Sequence, residues 1–171
     1  MLKGPKDNII LIGMMGTGKS TVGSLLAAET GHELVDLDLE IQLKAGSTIP
    51  EIFANKGEGF FRDLENAVLR EMLQRERVIL ATGGGCVLRA DNCKEMAANG
   101  WVVSLKADAE SIISRVGEDP NRPLLAGGAR ERVVRLLEER RDAYDFAHCT
   151  VDTTGKSAAD VASEILMHYR V

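Results

Sequence analysis

The sequence predicts an α/β fold in three layers, α/β/α, with a five-stranded parallel sheet between helices. Short apolar, β-prone runs recur at Asn8–Ile12, Glu33–Leu37, Val78–Ala81, Trp101–Leu105 and Thr150–Val151, each but the last followed by a segment of helical period. A glycine-rich loop, Gly13–Ser20, joins the first run directly to the first helical segment. The length of 171 residues, 44% of them hydrophobic, suits one compact domain over 1–171, with no repeat, low-complexity tract or linker to divide it.

Each element has a local reason. Ser20–Thr30 spaces Val22, Leu25, Leu26 and Glu29 as one helical face, and Gly31 is a natural C-cap. Asp36 and Asp38 stand two apart at the end of the second strand, on one side, where the crevice of a doubly wound sheet opens. Thr48 and Glu51 have capping-box spacing with Pro50 in the first turn, so Ile49–Asn55 reads as a short helix that Gly57 ends. Over Glu58–Arg77, Phe61, Leu64, Val68, Leu69, Met72 and Leu73 trace the face of a longer helix. An acceptor-binding helical segment is expected over about 39–77. Asp108 caps a further helix, and Ala158–Tyr169 forms the last. From 117 to 128 the pattern lapses into Gly, Pro, Asn and Asp, which reads as a mobile lid.

Charge and cysteine content narrow the possible partners. The net charge of −5, from 21 Lys and Arg against 26 Asp and Glu, gives no electrostatic reason to expect nucleic acid or an anionic membrane. Cys86, Cys93 and Cys149 have neither disulfide-framework nor zinc spacing, which fits a reducing cytoplasm. The apolar run Ile9–Met15 is interrupted by Gly13 and is too short for a signal core or a span, so a soluble, cytoplasmic protein is expected.

Gly13-Met14-Met15-Gly16-Thr17-Gly18-Lys19-Ser20 matches GxxxxGK[ST] in full, after a strand and before a helix. Glycines in such a P-loop let backbone N–H groups turn toward phosphate oxygens, and the helix N-terminus adds partial positive charge. Lys19 is placed to reach the β and γ phosphates of ATP, and the Ser20 hydroxyl to ligate Mg²⁺. Thr21 completes the loop's run into the helix. This motif alone leaves kinase, switch and motor all open.

The remaining candidates concern an acceptor. Asp36 could hold a magnesium water and Asp38 an acceptor hydroxyl, although two solvated acids would read the same way. Arg62 and Glu65, three apart on a helix, suit a plain ion pair or an arginine fork for a substrate carboxylate steered by Glu65. Gly83-Gly84-Gly85 offers bare backbone for close approach to a small ligand, or else a flexible linker. Arg122, in the lid, suits an internal arginine finger. Arg140 and Arg141, read as helical, suit a second clamp or a solvated face.

GMMGTGKST, Asp36-x-Asp38, Phe61-Arg62-x-x-Glu65, Gly83-Gly84-Gly85, Arg122-Pro-Leu-Leu and Glu139-Arg140…Tyr144 together resemble the shikimate kinase family in identity, order and spacing over nearly the whole chain. The resemblance implies a nucleoside monophosphate kinase-like P-loop fold with sheet order 2-3-1-4-5, and ATP-dependent phosphorylation of the 3-hydroxyl of shikimate in chorismate and aromatic amino acid biosynthesis. It implies a carboxylate clamp of Arg62 and Arg140, ring-hydroxyl contacts and orientation of the nucleophile from Asp38, and a ring wall of Gly83, Gly84, Gly85, Phe53 and Phe61. Ser20 and Asp36, the latter through water, resemble the magnesium pair; Lys19 and Arg122 resemble the transition-state cations. Arg115 matches an arginine packing near adenine, and Lys156 stands roughly where other members carry an arginine on that side. The family often shows Arg-x-Pro-x-Tyr where this chain has Asp142 at the proline position; Arg140 is preferred to Arg141 because it lies four before Tyr144. A monomer acting on ATP and shikimate is expected.

Overall fold

A computed structural model describes residues 7–117 and 128–169. Five strands, β1 (Ile9–Ile12), β2 (Glu33–Asp36), β3 (Val78–Ala81), β4 (Trp101–Lys106) and β5 (Cys149–Asp152), form one parallel sheet in the order β2-β3-β1-β4-β5. Among the described residues seven α-helices accompany it: α1 (Lys19–Thr30), α2 (Leu37–Ala45), α3 (Ile49–Met72), α4 (Ala90–Asn99), α5 (Ala109–Gly117), α6 (Ala129–Glu139) and α7 (Ala158–Tyr169).

The centre of the sheet is buried on both faces, as parallel sheets demand: β1 and β3 carry apolar side chains without interruption, while the edge strands β2 and β5 mix polar residues in and are partly exposed. In β1, Ile9 and Leu11 join Val22 and Leu26 of α1 and Val161 and Ile165 of α7 in one core. Ile10 and Ile12 point the other way, into a core with Val68, Leu69 and Met72 of α3 and Met96 of α4. A third, smaller cluster of Met14, Ile112, Val116 and Val133 lies beneath the glycine loop, where α5 and α6 pack. All five strands therefore present their carboxyl ends to one edge, where the loops gather.

Several local expectations hold. Gly31 caps α1 at φ 75°, its N–H donating to the Ala27 carbonyl. Thr48 accepts from the Glu51 N–H at 3.3 Å at the start of α3, and Asp108 accepts from the Ser111 N–H at 2.8 Å. Gly57, at φ 84° and ψ 169°, breaks the helical path inside α3, as the two-helix reading requires.

Other details differ. Asp36 ends β2 and is the N-cap of α2, its Oδ1 accepting from the Leu39 N–H at 3.2 Å, so Asp38 lies in the first helical turn and not in the strand. A capping aspartate starts the helix two residues before strand alternation was expected to stop. The long helix ends at Met72 rather than Arg77: beyond the cap at Leu73 the chain tightens into turns, the Gln74 N–H donating to the Glu71 carbonyl at 3.2 Å and the Arg75 N–H to the Met72 carbonyl at 3.1 Å, before Arg77 at φ 56° leads into β3. Arg140 is the C-cap of α6 and Arg141 lies beyond it, so neither is helical. The lid expected over 117–128, with Arg122, falls almost entirely outside the described residues; Gly117 closes α5.

The base of the sheet is fastened by Asn8, which is fully buried. Its amide donates to the carbonyls of Arg75 at 3.0 Å and Asn99 at 3.1 Å, and its Oδ1 accepts from the Val78 N–H at 3.0 Å. One side chain thus joins the segments leading into β1, β3 and β4. Asn8→Ala strands these groups, and a loss of about 2–4 kcal/mol is expected in urea unfolding; a change below about 0.5 kcal/mol, the scale of ordinary surface substitutions, would show that water replaces the clip.

Candidate active site

Strand β1 delivers the chain into the loop at the sheet's centre, and three glycines let it wrap. Gly13, Gly16 and Gly18 have φ of 145°, 77° and 93°. A side chain at Gly16 would come within 2.7 Å of Val116, and one at Gly13 would run into the Leu105 carbonyl. The Thr17 hydroxyl donates to the Met14 carbonyl at 2.7 Å, and the Lys19 ammonium donates to the carbonyls of Gly13 at 2.6 Å and Met14 at 2.8 Å. Loop and lysine therefore form one preorganised unit at the N-terminus of α1.

A cavity of about 260 Å³ opens over this loop. Its lining includes Lys19, Ser20, Thr21, Asp36, Asp38 and Arg115. The Ser20 hydroxyl stands 3.5 Å from Asp36 Oδ2, so two hard oxygen donors meet at the start of α1, the donor chemistry Mg²⁺ selects. Arg115 donates to the Gly16 carbonyl at 3.0 Å and to the Thr153 hydroxyl and carbonyl, each at 3.1 Å, tying the loop to the turn after β5. Lys156 is engaged elsewhere, paired with Glu164 of α7 at 2.9 Å, and is not among the residues lining this cavity.

A second cavity, of about 330 Å³, adjoins the first and gathers Phe53, Phe61, Arg62, Glu65 and Arg140. Met15, Asp38, Gly83 and Gly84 line both. Phe53 and Phe61 pack with ring centroids 4.8 Å apart, and the Arg62 guanidinium lies 5.2 Å from the Phe61 centroid. Arg62 donates through Nη1 to Glu65 Oε1 at 2.9 Å, while its Nε is buried with no hydrogen-bond partner and sits 3.7 Å from Glu58 Oε1. Glu65 is only 1% exposed; burial raises its carboxyl above the ordinary value, and the Arg62 charge and hydrogen bond offset part of that rise.

The triple glycine is explained by three neighbours. A Cβ at Gly83 would meet Asp38 Oδ1 at 2.9 Å, one at Gly84 would meet Arg140 Nη1 at 3.3 Å, and one at Gly85 would meet Arg62 Cζ at 2.8 Å. Each glycine leaves room for one polar group of the acceptor cavity. Gly85→Ala forces the Arg62 guanidinium away from Glu65; the KM for the carboxylate acceptor that the resemblance implies is expected to rise at least about tenfold, as for a lost charge-assisted hydrogen bond. Steady-state kinetics with an unchanged acceptor KM would show that Arg62 relaxes without cost.

Sequence reasoning did not find Ile49, Glu58, Arg132 and Leu136 in this cavity, nor Thr82 and Ala81 in the first. Arg132, Leu136 and Arg140 are spaced by four, and that spacing along α6 was the readable signal.

Comparison with known proteins agrees with this geometry. A family model described as shikimate kinase matches residues 15–170. The shikimate kinase of Gloeobacter violaceus is 48% identical over 168 residues, covering 97% of this chain and 93% of its own, and that of Pelotomaculum thermopropionicum is 42% identical over 163 residues, covering 95% and 94%. The structure of shikimate kinase from Acinetobacter baumannii in complex with shikimate superposes with a TM-score of 0.89 at 42% identity, covering 97% of this chain and 93% of that one. A P-loop cavity abutting an arginine-lined pocket, and identity sustained end to end, lead to one conclusion: the chain belongs to the shikimate kinase family.

Proposed function

We propose that this enzyme transfers the γ-phosphoryl group of ATP to the 3-hydroxyl of shikimate, giving shikimate 3-phosphate and ADP, with its two cavities holding donor and acceptor. The observation that carries this is that Met15, Asp38, Gly83 and Gly84 line both cavities, which sets donor and acceptor side by side as in-line transfer requires.

The residues divide the work. Gly13–Thr21 cradle the phosphates, and Lys19 stands at the oxygens that gain charge. Arg62, with an unsatisfied buried Nε and a flank fixed by Glu65, offers its fork to the shikimate carboxylate, with Arg140 as the second clamp. Phe53, Phe61 and the glycines wall the ring. Asp38, at the junction, accepts the hydrogen bond of the attacking hydroxyl and orients it, and can take its proton. Arg115, which lines the P-loop cavity, is assigned to the adenine side by resemblance, as is Lys156, whose ammonium is paired with Glu164. Arg122 is assigned to the transferring group by resemblance alone.

Ser20 and, through water, Asp36 would hold Mg²⁺, which when bound neutralises charge between the β and γ phosphates. Among the described residues no helix is long and apolar enough to cross a membrane. The acidic net charge of −5 fits a protein that engages neither nucleic acid nor an anionic membrane, and three cysteines without disulfide or zinc spacing fit a cytoplasmic one; a monomer is the expected state.

ADP release measured with shikimate, gluconate and nucleoside monophosphates tests the reading. Turnover is expected with shikimate; turnover with another acceptor and none with shikimate would overturn it.

A further inference from the structure

The acceptor side has one strong polar contact that the assigned roles do not use. Tyr144, in the turn beyond α6, donates its hydroxyl to the Gly84 carbonyl at 2.7 Å across 60 positions of sequence. The neighbouring carbonyls of the triple glycine are held locally: that of Gly83 accepts from the Cys86 N–H at 3.2 Å, and that of Gly85 from the Leu88 N–H at 3.1 Å. The middle carbonyl reaches across the site to Tyr144 instead.

Gly84 is also the glycine set between the two halves of the site. A Cβ there would lie 3.3 Å from Arg140 Nη1 on one side and 3.4 Å from the Met15 nitrogen of the P-loop on the other. Tyr144 and Arg140 share one turn, in which the Ala143 N–H donates to the Arg140 carbonyl at 3.0 Å and the Ala147 N–H to the Tyr144 carbonyl at 3.2 Å. The ring packs against both the core under α3 and the cluster under the P-loop, so its position is fixed from two sides. Burial raises the phenol's pKa, an effect that the Arg140 charge and its hydrogen bond to the phenol, with the Arg62 charge, only partly offset, so the hydroxyl keeps its proton for the Gly84 carbonyl at neutral pH.

We propose that Tyr144 is a positioning residue for the phosphoryl acceptor, its hydroxyl bracing the Gly84 carbonyl so that the triple glycine keeps the spacing of Arg140, Arg62 and Asp38 around the substrate ring. This rests on the reading of the second cavity as the shikimate pocket. A bare glycine run has no side chains to hold its own path, so an external strut sets it. The turn that carries the second clamp arginine supplies that strut, and clamp and ring wall therefore move together.

Tyr144→Phe removes the hydroxyl and keeps the ring in its packing. Steady-state kinetics in both substrates, with a thermal melt, separate the outcomes. The expected result is a shikimate KM raised about fivefold to tenfold, as for one lost hydrogen bond, with the KM for ATP changed less than about twofold. Amide hydrogen exchange at residues 83–86 should accelerate in the same variant. A lowered melting temperature with unchanged shikimate KM would overturn the proposal by making Tyr144 a stability residue only. Equal rises in both KM values would overturn it too, by showing a general loosening of the site. Wild-type enzyme inactive on shikimate would sink the cavity assignment itself, whereas an active wild type with an unaffected Tyr144→Phe sinks the strut alone.

Discussion

Replacing Arg62 with alanine raises the KM for shikimate by about two orders of magnitude, because a bidentate charge-assisted contact to a carboxylate is lost in a partly dry pocket. The same substitution destabilises the fold, since Glu65 is 1% exposed and Arg62 Nη1, 2.9 Å away, is its cationic partner. Leaving that carboxylate uncompensated costs about 3–5 kcal/mol. The sign of the pH dependence follows from Glu65. Its folded pKa lies above the ordinary 4.5, and removing Arg62 deletes the largest influence that lowers it. Between the unfolded and folded values the native state binds the extra proton, so stability falls as pH rises through that window. The gap between wild type and Arg62→Ala is therefore small in acid and widens as pH climbs through the raised Glu65 pKa. Adding Glu65→Gln to Arg62→Ala should recover stability without recovering the shikimate KM. Urea melts across pH combined with kinetics check both halves, and a shikimate KM unchanged in Arg62→Ala would remove the clamp.

Replacing Lys19 with methionine lowers kcat by about a thousandfold or more, the scale set by loss of one preorganised charge at the transferring group. The carbonyls of Gly13 and Met14 hold the ammonium at the loop, so its charge is fixed beside the place proposed for the phosphates. Lys19→Arg should not restore the rate, because a planar fork cannot occupy the place of a compact ammonium between two loop carbonyls. Isothermal titration with ATP should show a much smaller loss of affinity than the loss of kcat. Retained turnover in Lys19→Met would contradict the role.

The donor half of the site was legible because its instructions are local. Gly13, Gly16 and Gly18 occupy backbone conformations that side chains disfavour, so the motif writes the geometry directly. The unbroken apolar run of β1 and the Thr48 cap of α3 were readable for the same reason. Asp38 shows where local reading stops: a capping interaction between Asp36 and Leu39 starts α2 where strand periodicity was expected to continue, and it places Asp38 by a helical turn. The triple glycine shows a second limit. That Gly83, Gly84 and Gly85 make room for Asp38, Arg140 and Arg62 is decided by contacts between distant segments, which no window of sequence displays. Glu58 of α3 and Arg132 and Leu136 of α6 meet at the acceptor cavity from segments more than 70 positions apart, and Tyr144 reaches it through a contact spanning 60 positions. Resemblance to a family supplied the acceptor roles, and the two adjoining cavities supply a physical reason for them.

The account stands on transfer to one particular oxygen across the wall that Asp38, Met15, Gly83 and Gly84 share. Phosphorus-proton correlated NMR of the product formed from ATP and shikimate reads that oxygen directly. The predicted spectrum has a single phosphomonoester coupled to the proton at the 3-position, with ADP in equal amount. A phosphate on another hydroxyl, or inorganic phosphate released without a sugar-like ester, would contradict it.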